Sequence, residues 1–466
     1  MRVMHGILAG CVIAAGAPAA SAQNWSNSGG NAGRNGRTIE VGPDAPTPLW
    51  SGGRSSSIAW QPVIEGDRLF VVRQTGFPPE PNSDKAPVVA MNLHTGAELW
   101  FRNIPFNTGE WTTWIAGVRD GRVYVSRSGN GASAQAYLHC LDAASGATLW
   151  ISTVKIDAGP YDGVVFAPDG DPVIASFTKI WRFNATDGAV VWTATRVGSV
   201  SGNCGGAANV AADAFYVADA VAGGHAIKRF RLSTGAFQYQ SPVLPGFTIQ
   251  ATPMVGPDGT VYLSRTQNSA PVDFFYAIND SGSAMSVRWS VPARWTTSSE
   301  FAVASDGSVY MLAPGNVIKR LDGATGATLA TSPPINSETN MQPRLAVDRL
   351  GRVFVSNGTF ANGRLYAFNA DLSARWSVPL TNSNIGAPAI GSLGTLIVAG
   401  VGTDIRAYRT VRCPGDFNAD GAVDDFDYFD FLNAFGLNAP EADFNRDGSV
   451  DDFDFFDFVN AFFAPC

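Results

Sequence analysis

Two stretches near one end of the chain, DFNADGAVDDFD at 416–427 and DFNRDGSVDDFD at 443–454, put oxygen-bearing side chains at alternate positions. A hard cation such as calcium takes about six to eight oxygens, and a twelve-residue loop offers them from positions 1, 3, 5, 7 (through its carbonyl), 9 and 12. In the first stretch these are Asp416, Asn418, Asp420, Ala422, Asp424 and Asp427; in the second, Asp443, Asn445, Asp447, Ser449, Asp451 and Asp454. Gly421 and Gly448 stand at position 6, where such a loop turns sharply. The copies agree at 16 of 20 positions across 416–435 and 443–462, which a merely solvated acidic run would not require. The pattern predicts two calcium ions, one per loop. Without them the four carboxylates of each loop repel one another, so binding and folding are expected to be coupled.

Other chemistry-bearing residues do not assemble in the sequence. His5 lies in the N-terminal segment, while His94, His139 and His225 fall in different repeats, and no G-x-S-x-G or H-E-x-x-H occurs. There is no adjacent cysteine pair and no C-x-x-C-H. Glycoside hydrolysis would need two carboxylates at a definite separation, a distance the sequence does not set. Trp50, Trp100, Trp150, Trp192, Trp289 and Trp376 fall at a recurring position and read as packing residues. Trp111 and Trp114, in GEWTTWIAG, stand outside that pattern and are candidates for stacking on a sugar or peptide.

The elements that carry these residues follow from periodicity. After each acidic loop, DYFDFLNAF and DFFDFVNAF space apolar residues three and four apart, which predicts two short helices packed through their Phe rings. The preceding 400 residues repeat a different unit. MNLHTGAELW, CLDAASGATLW and RFNATDGAVVW are clear examples of its second half, and RDGRVYVS, GPDGTVYLS and ASDGSVYML of its first. Turn glycines Gly96, Gly146, Gly188, Gly235, Gly282 and Gly326 are 50, 42, 47, 47 and 44 residues apart, the length of a four-stranded propeller blade. Closing positions run Trp50, Trp100, Trp150, Trp192, Tyr239, Trp289, Leu329 and Trp376. TPLW at 47–50 is a closing strand with nothing before it, and the last repeat lacks one. The prediction is an all-β, eight-bladed β-propeller closed by its N-terminal strand, with seven blades as the alternative, followed by a small helical calcium-loop domain.

Charge divides the chain in the same place. From Cys413 to Cys466 thirteen carboxylates face one arginine, a net −12 that leaves about +4 for the rest of a chain whose total is −8. No basic stripe is present, so nucleic acid is not an expected partner. MRVMHGILAGCVIAAGAPAASA reads as a secretory signal peptide over 1–22, with LAGC around Cys11 as a competing lipidation site, and no later run is apolar enough to span a membrane. The expected domains are therefore 1–22 signal peptide, 23–411 propeller and 412–466 calcium-loop domain. Cys413 and Cys466 bracket that last domain and suggest a disulfide, while Cys140 and Cys204 are either free thiols or a bridge.

The repeat, best seen in LDAASGATLW, resembles that of pyrroloquinoline-quinone-type propellers and of outer-membrane-assembly propeller lipoproteins, and NWSNSGGNAGRNG at 24–36 is similar to the segment preceding such rings. Quinone-dependent members hold their cofactor beneath a vicinal disulfide, and this sequence has no residues for one. Residues 413–466 resemble a type I dockerin, which implies a cohesin-like or other envelope anchoring partner. Asp425-Phe426 and Asp452-Phe453 replace the usual hydroxyl pair, and Asn433-Ala434 and Asn460-Ala461 the usual basic residues; the Phe-rich pattern looks more like the C-terminal anchoring dockerins of planctomycete-type bacteria. The expectation is an exported, surface-attached, non-enzymatic propeller that binds an unknown protein or glycan. A polysaccharide-degrading propeller is the alternative.

Overall fold

The computed structural model describes residues 25–76, 84–106, 110–129, 135–157, 163–197, 205–246, 252–265, 273–294, 301–335, 344–357, 363–383 and 386–465. These fall into two compact units, one within Gln23–Val411 and one within Arg412–Cys466.

The larger unit is built from eight four-stranded antiparallel sheets. In the first, Val63–Glu65, Arg68–Val72, Val88–Asn92 and Glu98–Arg102 follow one another in sequence order. The eighth takes Ala389–Gly391, Thr395–Ala399 and Ile405–Tyr408 from late in the chain, and its outer strand, Pro48–Gly52, from early in it. Trp50 pairs with Ala407 across that seam, so TPLW closes the ring as the repeat count required, and the seven-bladed alternative falls. Asp-Gly turns act as expected in the second blade: Asp120 and Gly121 both hold positive φ (53° and 71°) between the paired Arg119 and Arg122.

The blades are locked by the recurring tryptophan, and its partner lies in the next repeat. Trp150 of the second blade lies on Gly188 of the third so closely that a Cβ there would sit 2.4 Å from the indole. Its Nε1–H donates to the Ala185 carbonyl three residues earlier at 2.9 Å. Trp50 on Gly96, Trp100 on Gly146 and Trp289 on Gly326 repeat the arrangement, with indole bonds to Leu93, Ala143 and Gly323. Where the closing residue is Tyr239, the next turn glycine, Gly282, has nothing within 4 Å of its Cβ direction, and Tyr239 instead donates to Asp280 at 2.6 Å. Between blades the core is apolar: Phe70, Val72 and Val88 of the first pack with Val123, Val125 and Leu141 of the second.

The segment before the first strand winds along the inner strands and bonds each blade in turn. Trp25 O accepts from Ile64, and Ser26 O from Val118. Asn27 Nδ2 then donates to Val164 O, and Ala32, Gly33, Asn35 and Gly36 carbonyls accept from Ala208, Val255, Val303 and Val347. Glu40 completes the circuit by accepting from Gly394 N–H at 3.2 Å. Inner-strand N–H groups that would otherwise face the channel are thus satisfied by this segment.

The smaller unit holds two helices, α1 (Asp425–Gly436) and α2 (Asp452–Phe462). Phe431 and Phe458, both fully buried, stack at 4.0 Å between ring centroids, and Phe417 and Phe444 meet Phe458 edge-on. The expectation that all the Phe rings meet inside is corrected: Phe426, Phe429, Phe453 and Phe456 point outward. The reason is geometric, since the inward stripe of each helix already holds Phe431 or Phe458 together with the buried Asp427 or Asp454.

Candidate metal centre

Each acidic loop is framed by its own backbone. Asp416 Oδ2 accepts from Gly421 N–H at 3.1 Å, Asn418 Oδ1 from Asp420 at 3.0 Å, and Asp420 Oδ1 from Ala422 at 2.9 Å. The second loop repeats this with Asp443 and Gly448 at 2.9 Å, Asn445 and Asp447 at 2.8 Å, and Asp447 and Ser449 at 2.9 Å. Positive φ falls at equivalent places, Ala419 and Arg446 as well as Gly421 and Gly448. Asp424 and Asp451 cap the following helices through Phe426 and Phe453 N–H.

Position 12 closes the frame. Asp427, fully buried, accepts from Asn418 N–H on one oxygen and Asp424 N–H on the other, at 2.9 and 3.0 Å. Asp454 does the same with Asn445 and Asp451, each at 2.9 Å. This tying of loop to helix was not legible in the sequence, although the Asp-x-x-Asp spacing of a capping box is its signal.

The second oxygen of position 1 is the exception to this satisfaction. Asp416 Oδ1 and Asp443 Oδ1 are buried and accept no hydrogen bond. Loss of solvent pushes both carboxyls above the ordinary aspartate range, with Asp427 and Asp454 adding like-charge repulsion and the Gly421 and Gly448 bonds opposing the shift. A buried anionic oxygen without a partner calls for a cation or a proton. The donor set, all carboxylate, amide and carbonyl oxygen, suits calcium. Among the described residues, however, no three His, Cys, Asp or Glu side chains are gathered closely enough to hold a metal ion. Cys413 is disulfide-bonded, and its expected partner Cys466 lies outside the described residues.

In the larger unit the three histidines stay apart. His139 and His225 are buried in different blades; burial, then the Arg127 charge, lowers His139 to about 4. His94 lies between Asp67 and Ser392, a combination suggestive of a nucleophile and its base. Both groups meet the same ring nitrogen, Nε2, at 2.8 and 3.4 Å, so the imidazole cannot relay between them. Trp114 is buried at 2% exposure in the core shared by the second and third blades, which corrects its role as a stacking platform, and the Trp111 side chain lies outside the described residues. Cys140 is a buried free thiol, and Cys204 lies outside the described residues.

Where the segment before the first strand meets the inner strands, a cavity of about 30 Å³ is lined by residues that include Ser28, Arg34, Gln61, Thr252, Met254 and Phe301. Arg34 is 3% exposed and donates to the carbonyls of Gly206, Ser28 and Gly163. None of the described lining residues is a carboxylate, so paired-carboxylate hydrolysis gains no support there. Arg34, Asn27 and Asn35 were missed as key residues by sequence reasoning; the Gly- and Asn-rich run after Trp25 was their signal.

Eight such blades define an eight-bladed β-propeller. Residues 84–314 match the family described as outer membrane protein assembly factor BamB. No curated protein matches the chain by sequence. Among solved structures, quinohemoprotein alcohol dehydrogenase from Comamonas testosteroni is 13% identical, with a TM-score of 0.59, covering 85% of this chain and 82% of its own. BamB from Moraxella catarrhalis is 15% identical with a TM-score of 0.55 over 78% and 99%, and a europium-containing methanol dehydrogenase is 13% identical with 0.55 over 82% and 90%. At these identities the likeness is one of fold. It corrects the expectation that the ring is not an enzyme, because the fold behind that expectation is shared by dehydrogenases and by an assembly factor alike. The vicinal cysteines that quinone binding would use have no counterpart in the sequence. The family match ends at residue 314 and does not reach the smaller unit.

Proposed function

We propose that this protein is an exported β-propeller whose ring binds a protein or glycan, and that residues 412–466, as a dockerin-like calcium module, attach it to the cell envelope or an extracellular scaffold. The observation that carries the reading is the pair of buried, unpartnered oxygens, Asp416 Oδ1 and Asp443 Oδ1, at the same place in two loops framed alike. Calcium bound in these loops would cross-link position 1 to later positions and cancel the repulsion among their carboxylates. The residues that would hold it are Asp416, Asn418, Asp420, Ala422, Asp424 and Asp427, with Asp443, Asn445, Asp447, Ser449, Asp451 and Asp454 in the second loop.

Export is supported by the character of residues 1–22, by the disulfide at Cys413 and by the envelope role named in the family description. Among the described residues no helix is long and apolar enough to cross a membrane. Partner binding by the ring is supported by its likeness to BamB and by apolar side chains left outward on the outer strands, among them Leu99, Phe101, Leu149 and Ile151. Titration calorimetry of the full chain tests the attachment module, with uptake of two calcium ions expected. Uptake of none, or uptake unchanged when Asp416 and Asp443 are both replaced by Asn, would remove its basis.

A further inference from the structure

The outer faces of α1 and α2 carry the same side chains. Phe426 and Phe429 are 72% and 63% exposed, and Phe453 and Phe456, one repeat later in sequence, are 70% and 60% exposed. A spacing of three puts each pair side by side on its helix. Asp425 and Asp430 flank the first pair and Asp452 and Asp457 the second, all four exposed, and neither helix contains a basic residue. Four large aromatics left in water on so small a unit are costly for solubility, and the core does not use them.

We infer that these two faces are a docking surface for a protein with aromatic-sized apolar sockets rimmed by Lys or Arg. This rests on the proposed attachment role and specifies the partner's chemistry. Charge selects that occupant. The unit carries thirteen acidic side chains against two arginines, and two bound calcium ions would still leave −7. A second copy of the unit, or an anionic lipid surface, would bring like charge against the Asp residues that border each Phe pair. A cationic rim would pair with those Asp residues while the rings are buried, giving a contact that salt weakens and that depends on the Phe side chains.

The test uses the calcium-loaded full chain and fluorescence anisotropy with a labelled amphipathic peptide of Leu and Lys, alongside a Leu and Glu counterpart and vesicles of phosphatidylcholine with phosphatidylglycerol. Binding of the Leu and Lys peptide is expected, with a loss of about tenfold or more when Phe426, Phe429, Phe453 and Phe456 are all replaced by Ala. These side chains lie outside the core, so calcium uptake by the variant should remain at two ions; calorimetry checks this. Equal peptide binding by the variant overturns the inference, as does equal binding of the Glu peptide or the vesicles, or Phe-dependent self-association in sedimentation. Normal calcium uptake with no Phe-dependent binding sinks the surface alone, whereas absence of calcium uptake by the unaltered chain sinks the attachment reading beneath it.

Discussion

Replacing Asp416 by Asn should change the stability of the smaller unit in opposite directions with and without calcium. The substitution keeps the side-chain shape and the acceptor for Gly421 N–H, but removes a buried charge whose Oδ1 has no partner and which Asp427 repels. In the metal-free chain that charge is a burden, and its removal should slow hydrogen exchange of the α1 amides slightly, by less than about 1 kcal/mol. With calcium about a thousandfold above its dissociation constant, binding contributes roughly 4 kcal/mol to the loop it holds. Loss of the position 1 carboxylate, weakening the site by about a hundredfold, removes roughly 2.7 kcal/mol of this, seen as about hundredfold faster exchange. Exchange measured by mass spectrometry on the full chain, in calcium and in chelator, reads both halves. An Asp416→Asn chain as well protected as the unaltered one in calcium, or a unit whose protection ignores calcium, would refute the reasoning.

Gly188→Ala should destabilise the ring by about 3 kcal/mol, combining left-handed strain at φ +73° with displacement of Trp150 and its indole bond; Gly282→Ala, at φ +86° with open space, should cost only the strain, about 1 kcal/mol, and calorimetry compares them. Phe431→Ala removes the ring stacked on Phe458 at the centre of the small core and should cost about 3–5 kcal/mol, read as lost exchange protection in α2 while the β signal of the ring persists. His139 is held neutral by burial, with a value of about 4 against an ordinary 6.5, so its contribution to stability is complete above the ordinary value and is lost as pH falls toward 4. His139→Gln should flatten the acid limb of the ring's thermal unfolding profile in that window.

Several parts of this architecture were legible in the residues. Asp-Gly and Thr-Gly turns, β-branched alternation and the closing Trp are local chemistry, and their period near 45 residues reports one blade because each blade is a local meander. The hydrogen-bonded frame of each acidic loop is local for the same reason, since its bonds join positions within the twelve residues. The corrected elements are those whose environment comes from elsewhere in the chain. Trp114 looked unexplained by the repeat and is a core residue; the outward Phe residues looked like core and are not. Helical spacing identifies which residues share a face, but not which face finds a neighbour.

Residue order alone was enough to set the blade unit, the two acidic loops with their helices, and the division of charge between ring and tail. The folded chain was needed to establish that Pro48–Gly52 closes the eighth sheet and that Trp50, Trp100, Trp150, Trp192 and Trp289 each dock on a glycine of the following blade. It was needed equally for the path of residues 25–40 along the inner strands. Folding also fixes which aspartate oxygens are satisfied, leaving Asp416 Oδ1 and Asp443 Oδ1 as the open positions. The difference lies in the range of the interactions: turns, caps and the hydrogen bonds within each acidic loop are fixed by neighbours a few residues away, whereas ring closure and desolvation depend on groups brought together from hundreds of residues apart or across a folded core.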